Sequence, residues 1–209
     1  EFGLTKAIVL KEQNGAHVTV VNVGGVDAEA TLRKALAIGA DEAIRVNIQP
    51  KDGLFVAKQL ANVVKQGGDD LIIAGTESID YNGGMVPGML ATLIDFNFIN
   101  GCVGLDIEGT AISASREIDG GNEIVSSNFP MVVAGQKGIV EEKDLRIPNM
   151  RGIMMARKKP LEVVEAITTD AATNVQSFEK PAPRESVKLV AADNVDELIN
   201  LLHTEAKVI

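Results

Sequence analysis

Two glycine-bearing stretches stand where a strand-like run gives way to a helix-like one. They are Val23-Gly24-Gly25-Val26 and the longer Gly75-Thr76-Glu77-Ser78-Ile79-Asp80-Tyr81-Asn82-Gly83-Gly84, which leads into Met85 and Val86. Glycine lets a backbone approach a ligand closely, and a helix start presents unpaired N–H groups to anions. Thr76, Ser78 and Asn82 add neutral hydrogen-bonding groups. This chemistry suits a mononucleotide held by backbone and neutral side chains; ordinary tight turns are the other reading of the same glycines. The long loop has neither a Gly-Lys-Ser/Thr ending nor Gly-x-Gly-x-x-Gly spacing, so it announces neither a nucleoside triphosphatase nor a dehydrogenase.

Groups for acid–base, nucleophilic or metal chemistry are scarce. His17 and His203 have no neighbouring Cys, His or carboxylate at metal-ligand spacing, and structural or surface roles fit both. The single cysteine, Cys102, lies in an apolar run and reads as a buried structural thiol. Glu117 and Asp119 flank a turn, where a turn or salt-bridge role is as good as acid–base work. We therefore assign no catalytic and no metal residues. One cationic cluster breaks the acidic background: Lys143, Arg146, Arg151, Arg157, Lys158 and Lys159, interleaved with Ile147, Met150, Ile153, Met154 and Met155. It reads as a solvated amphipathic segment or as an adaptable docking surface, and the methionines beside cations favour docking.

The elements that must position these groups alternate along the first half. Leu4, Ala7, Ile8 and Lys11 share one helical face. Ala16–Val23 is a β-rich run, Val26–Gly39 a helix with Gly39 as C-cap, and Glu42–Asn47 a short strand. Asp52 caps a helix over Gly53–Gln66, whose apolar face is Val56, Leu60, Val63 and Val64. Asp70–Ala74 reads as a buried strand and Gly84–Ile94 as another helix. This rhythm predicts a parallel sheet covered on both faces, with right-handed crossovers. Ligands then bind beyond the carboxyl ends of the strands, where both glycine loops lie.

After residue 100 the pattern changes. Gly101–Ile107 is short and apolar. Thr110–Ile118 and Glu123–Ser127 form a hairpin around Asp119-Gly120-Gly121, and Pro130–Ala134 is one more strand. From Glu141 the chain is charged and interrupted by Pro148 and Pro160. Ala171–Pro183 reads as an extended linker. Asn194 with Glu197 makes a capping-box pattern before Leu198, Leu201, Leu202 and Ala206, a terminal helix that must dock on something. The expected division is a nucleotide-binding domain over 1–160, with a recognition loop at 141–160, and a C-terminal arm over 161–209.

With 209 residues, 45% of them hydrophobic and none of them Trp, the core must be aliphatic. A formal charge of −9 argues against nucleic-acid or anionic-membrane binding, and no apolar run reaches membrane-helix length. One lone thiol and no secretory segment fit a reducing compartment, either bacterial cytoplasm or mitochondrial matrix. The sequence opens on a helical pattern with no initiator Met, so it is expected to begin inside a longer protein.

Four ordered stretches carry a resemblance. Arg116 through Val125, then Pro130 through Ala134, resembles the signature segment of electron-transfer flavoprotein β (small) subunits. Leu36 through Ala43 is similar to a helix-to-strand junction of that family, Gly75 through Val86 to its nucleotide loop, and Arg146 through Lys159 to its partner-recognition loop. The resemblance implies a three-layer, Rossmann-like α/β fold of the adenine-nucleotide-binding type, with a β-hairpin addition and an extended arm ending in a helix. It implies an electron carrier without turnover of its own: a heterodimer with an α subunit that holds most of the FAD, while this chain holds a structural AMP. Implied further partners are acyl-CoA and related dehydrogenases as donors and an electron-transfer-flavoprotein–quinone oxidoreductase as acceptor, which ties the chain to fatty-acid β-oxidation.

Carried over by position, Val23, Gly75, Thr76, Glu77, Ser78, Ile79, Asp80, Tyr81, Asn82, Gly83, Gly84, Met85 and Val86 line the AMP pocket. Arg146, Ile147, Met150, Arg151, Ile153, Met154, Arg157, Lys158 and Lys159 meet the partner, with Met150 at the position of an anchoring leucine. The family's first strand and an Asn-Pro-containing nucleotide segment are expected before Glu1. Relatives that bifurcate electrons bind a second FAD in place of AMP. They carry a different loop where this chain reads Asp80-Tyr81-Asn82-Gly83-Gly84-Met85-Val86-Pro87, so AMP is the favoured ligand and a second FAD the alternative. A nucleotide-sensing or nucleotide-hydrolysing domain is the rival from another class.

Overall fold

The computed structural model describes residues 1–79, 82–183 and 187–209. The first unit, Glu1–Asn174, holds both sheets; the second is Val175–Ile209. The first unit opens with helix α1 (Phe2–Asn14), followed by strand β1 (Thr19–Gly24), helix α2 (Glu29–Ile38), strand β2 (Glu42–Asn47), helix α3 (Gly53–Gly67), strand β3 (Leu71–Gly75) and helix α4 (Val86–Ile94). The expected alternation is there, and each boundary has a local cause. Gly15 ends α1 in the left-handed region, with its N–H on the Lys11 carbonyl. Asp52 caps α3 by accepting from the Phe55 N–H at 2.7 Å, and Gly68 ends that helix. Pro87 stands in the first turn of α4, where a missing N–H costs nothing.

The strands form two sheets. The first is β1-β2-β8, all parallel, where β8 is Leu161–Glu165. The second is β3-β7-β4-β5-β6, with β4 Asn97–Glu108, β5 Ala111–Ile118, β6 Gly121–Asn128 and β7 Met131–Gly135. Here β3, β7 and the start of β4 are parallel, while β4-β5-β6 is antiparallel. The hairpin turns at Asp119-Gly120 with Gly120 at φ 86°, the left-handed conformation that a two-residue loop demands.

Three differences from the sequence reading have physical causes. The short run expected at Gly101–Ile107 is the second half of the twelve-residue β4. A bulge with Gly101 at φ 63° shifts that strand's register against β7, where pairing resumes at Cys102 and Gly135. Beyond the bulge, Leu105, Ile112 and Ala114 pack with Met131, Val133 and Leu10. Second, β8 lies in a stretch read as irregular and charged, because its pairing with β2 is non-local and invisible to periodicity. Third, residues 166–174 pack across α3. The buried Gln59 amide clasps the Ile167 backbone at 2.8 and 2.9 Å, and Asp52 accepts from the Ala172 and Thr173 N–H groups. Residues 161–174 thus belong to the first unit, and the extended arm starts at Val175.

In the second unit, α6 (Val195–Leu201) is capped by Asn194, which accepts from the Glu197 N–H and donates from its amide to the Glu197 carboxylate at 2.7 Å. Val195, Leu198, Ile199, Val208 and Ile209 are all exposed.

Candidate nucleotide site and docking helix

The longer glycine loop leaves β3 and enters α4 at the carboxyl end of the second sheet. Its exit is pinned to β7: the Thr76 N–H donates to Gly135 O at 3.1 Å and the Thr76 hydroxyl to Ala134 O at 3.1 Å. Thr76 therefore spends its hydroxyl proton on holding the loop. Farther along, Ser78 N–H donates to Gly83 O at 3.3 Å and closes the loop on itself. Asn82 sits at φ 50°, a conformation that Asn tolerates better than most residues. Asp80 and Tyr81 lie outside the described residues.

Glu77 and Ile79 point outward, Ile79 at 98% exposure. Methyl groups built on Gly75, Gly83 or Gly84 meet only Glu77 O at 3.7 Å, the Ser78 hydroxyl at 3.5 Å and Thr76 O at 3.5 Å. The loop is an open cradle whose backbone a ligand can approach. At its far end Met85 covers Gly53 at the start of α3, and the first turn of α4 offers the N–H groups of Val86 and Gly88. Gly75 and Val86 line one cavity of about 460 Å³ together with Val20 and Val21 of β1.

The shorter glycine loop is built differently. Val23 is buried against Val46 and Val63, so its side chain is core and only its backbone faces the strand end. A methyl group on Gly24 would fall 2.7 Å from Asn22 Oδ1, and one on Gly25 would fall 2.5 Å from Gln49 Nε2. A methyl group at either position would have to displace the end of a neighbouring side chain. Arg45, only 5% exposed, donates to Gly24 O at 2.9 Å and Asn47 Oδ1 at 2.8 Å and pairs with Glu29 at 3.2 Å. Sequence reading passed over Arg45; its one signal was a guanidinium within a strand otherwise fit for burial. Asn22 Oδ1 beside it is buried without a hydrogen-bond partner among the described residues.

The cationic segment folds into α5 (Met150–Ala156), capped by Asn149, which accepts from the Gly152 N–H at 2.8 Å. Ala156 is buried with Ile8, Leu32 and Leu36, and Gly152 lies directly on the Ala37 carbonyl, which seats α5 on α2. Arg33 fixes the helix end by donating to Ala156 O and Lys159 O, both at 2.8 Å. Two of the expected partner-facing cations serve the fold itself. Lys159 donates to the Leu36 and Ala40 carbonyls, and burial together with nearby Lys11 lowers its pKa. Arg146 pairs with Glu12 at 2.6 Å. Arg151, Arg157 and Lys158 are exposed and have no ion-pair partner among the described residues. Beside them Ile147 and Met150 are 82% and 77% exposed, and Ile153, Met154 and Met155 also face outward. Apolar side chains this exposed on a seated helix mark it as a candidate docking surface.

The remaining candidates are structural. Cys102 is buried, its thiol pushed up by burial and directed at Gly104 O. His17 lies beside Asp41 and Glu42. Arg116 and Glu123 pair across the hairpin. Among the described residues no cluster of His, Cys, Asp and Glu could hold a metal, and no helix is long and apolar enough to cross a membrane.

The electron transfer flavoprotein domain model matches residues 1–169. An electron transfer flavoprotein subunit beta from Bacillus subtilis is 37% identical over all of this chain and 86% of its own length. One from Bradyrhizobium diazoefficiens is 32% identical over all of this chain and 84% of its own. The human subunit beta is 30% identical over 88% of this chain and 75% of its own. A domain match over most of the chain, and relatives of one name along its whole length, lead to one conclusion: the chain belongs to the electron transfer flavoprotein family, among its beta subunits.

Proposed function

We propose that this chain is the nucleotide-holding half of a heterodimeric electron carrier, pairing with an alpha subunit and binding AMP in the cradle formed by Gly75–Met85. The observation that carries the reading is that cradle: three glycines and the first turn of α4 around open backbone, at the carboxyl end of β3. Backbone N–H groups at a helix start suit a phosphate, and the Glu77 carboxylate of the loop is exposed to solvent. Val86 and Gly88 N–H would meet the phosphate, Ser78 and Asn82 would take polar contacts, and Thr76 would hold the loop to β7. FAD, shared with the alpha subunit and mostly held there, supplies the electron-accepting chemistry when bound. This chain's part is to bind, orient and dock.

In this reading α5 meets primary dehydrogenases such as acyl-CoA dehydrogenases. Met150 is the anchor, and Arg151, Arg157 and Lys158 steer an acidic partner. The carrier then passes electrons to a quinone oxidoreductase, in bacterial cytoplasm or mitochondrial matrix. Gly84→Val tests the cradle: isopropyl bulk beside Thr76 O fills the space a ligand would occupy. We expect the purified heterodimer to lose its AMP while keeping its FAD and its fold. Full AMP occupancy in that variant would refute the assignment.

A further inference from the structure

We propose that α5 is a reversible oxidation site, where peroxide converts the exposed thioethers of Met150, Met154 and Met155 to sulfoxides without unfolding the chain. The chain has six methionines, and three of them fall within one short helix. Their exposures are 77%, 66% and 53%, whereas Met131 of β7 is 1% exposed in the core. Exposure decides which thioether an oxidant in solution can reach. The one thiol, Cys102, is buried and its pKa is raised by that burial, so it is not the competing target that a surface thiolate would be. Met85, also exposed, packs its Cε against Gly53 at the start of α3, which shields its sulfur on one side.

The way α5 is held keeps the change local. Ala156 is buried with Ile8, Leu32 and Leu36, Gly152 lies on the Ala37 carbonyl, and Arg33 donates to Ala156 O and Lys159 O. Asn149 caps the first turn by accepting from the Gly152 N–H. None of these contacts uses a methionine sulfur, so an oxygen added there leaves the seat on α2 intact. Helical spacing also supplies a donor for the product. The exposed Arg151 stands three residues before Met154 and four before Met155, on the neighbouring positions of the same helix. A sulfoxide oxygen accepts hydrogen bonds strongly, and a guanidinium is a donor with no acceptor of its own.

In the reaction the thioether sulfur attacks one oxygen of hydrogen peroxide and the O–O bond breaks. The other oxygen leaves as hydroxide, and the proton on the transferred oxygen passes to it, giving sulfoxide and water. Sulfur gives up two electrons and the peroxide takes them. Methionine sulfoxide reductases, one for each sulfoxide epimer, reverse the step with a dithiol as reductant: the oxygen leaves as water and the thiols become a disulfide. Oxidation turns three flexible apolar side chains into polar, chiral ones, and such a face no longer fits an apolar pocket on a partner. That consequence rests on the docking role proposed for α5, whereas the oxidation site does not.

The test treats the heterodimer with its alpha subunit with hydrogen peroxide and follows the tryptic peptides 147–151 and 152–157 by mass. Met150 in the first and Met154 and Met155 in the second should each gain one oxygen atom at least about tenfold faster than Met131. The unfolding midpoint should stay in place, and the two reductases should remove the added oxygens. Oxidation no faster than that of Met131, or unfolding that accompanies the modification, would overturn the proposal. So would oxidation of Met85 while all three stay unmodified, since α5 would then lie covered in the complex. Reduction by an acyl-CoA dehydrogenase, the probe for docking, should slow about tenfold on oxidation and recover with the reductases. In a variant combining Met150→Leu, Met154→Leu and Met155→Leu, peroxide should leave that rate where it started, whatever its starting value. A rate unchanged by full modification of the parent, or an equal fall in the leucine variant, upholds the oxidation site and refutes the docking role of α5. The peptide masses of the parent decide the site whether or not the leucine variant folds.

Discussion

The Asp52 carboxylate accepts from the Phe55 N–H at the start of α3, from the Ala172 and Thr173 N–H groups and from the Thr173 hydroxyl. The Phe55 bond above all, with help from Thr173 and Ala172, holds its pKa below the ordinary carboxylate value. A lowered folded pKa means that the ionised form is the one the fold prefers. Its contribution is therefore complete above the ordinary carboxylate range and fades as pH falls through the lowered pKa. Asp52→Ala should cost about 0.5–2 kcal/mol at pH 7 as the loss of a cap. Urea unfolding should find that difference shrinking toward pH 3; a difference independent of pH would contradict the role. Burial and nearby acids, Asp70 and Glu42, act the opposite way on Asp69, whose pKa is raised. Its charge works against folding at neutral pH, so Asp69→Asn should raise the unfolding midpoint at pH 7 and lose that advantage in acid. Asp52 was legible as a cap because Asp-Gly precedes an apolar helical period. Its second set of partners was not, because Ala172 and Thr173 lie 120 residues away in sequence.

At the scale of elements, α5 has one face seated on α2 and one face in solvent. Gly152→Ala would drive a methyl group into the Ala37 carbonyl, and the clash should cost about 1–3 kcal/mol by loosening α5 from α2. Chemical denaturation measures the loss. Met150→Asp touches only the exposed face, so the unfolding midpoint should stay within about 0.5 kcal/mol of the parent. The rate of reduction by a dehydrogenase partner should fall about tenfold or more, as expected when an interface anchor is lost. Unchanged kinetics would remove Met150 from the interface. The sequence announced the chemistry of this segment but not its helix. Seven residues with most side chains in solvent carry no apolar period, and what fixes them is a cap at Asn149, one glycine contact and Arg33. The first-half elements carry caps and clear apolar periods, and they stand close to where those signals put them. The bulge in β4 and the pairing of β8 depend on neighbours far along the chain.

Over the whole molecule, an acidic chain with a −9 formal charge carries a helix rich in exposed methionines and cations, and among the described residues no His, Cys, Asp and Glu cluster could hold a metal. Under the proposed function the chain would hold, dock and hand over, and both features are compatible with that. The parallel strands were legible from alternating strands and helices; their division into two sheets was not, because no local pattern marks which strand lies beside which. The open backbone of the loop was legible in its glycines, whereas the commitment of the Thr76 hydroxyl to β7 was not. The central claim concerns what this fold grips. The most direct measurement is to purify the complex of this protein with its alpha subunit, denature it and identify the released small molecules by mass. One FAD and one AMP per heterodimer are expected. Two FAD would mean that a second flavin occupies the cradle, and release of no adenine nucleotide beyond a single FAD would contradict the account outright.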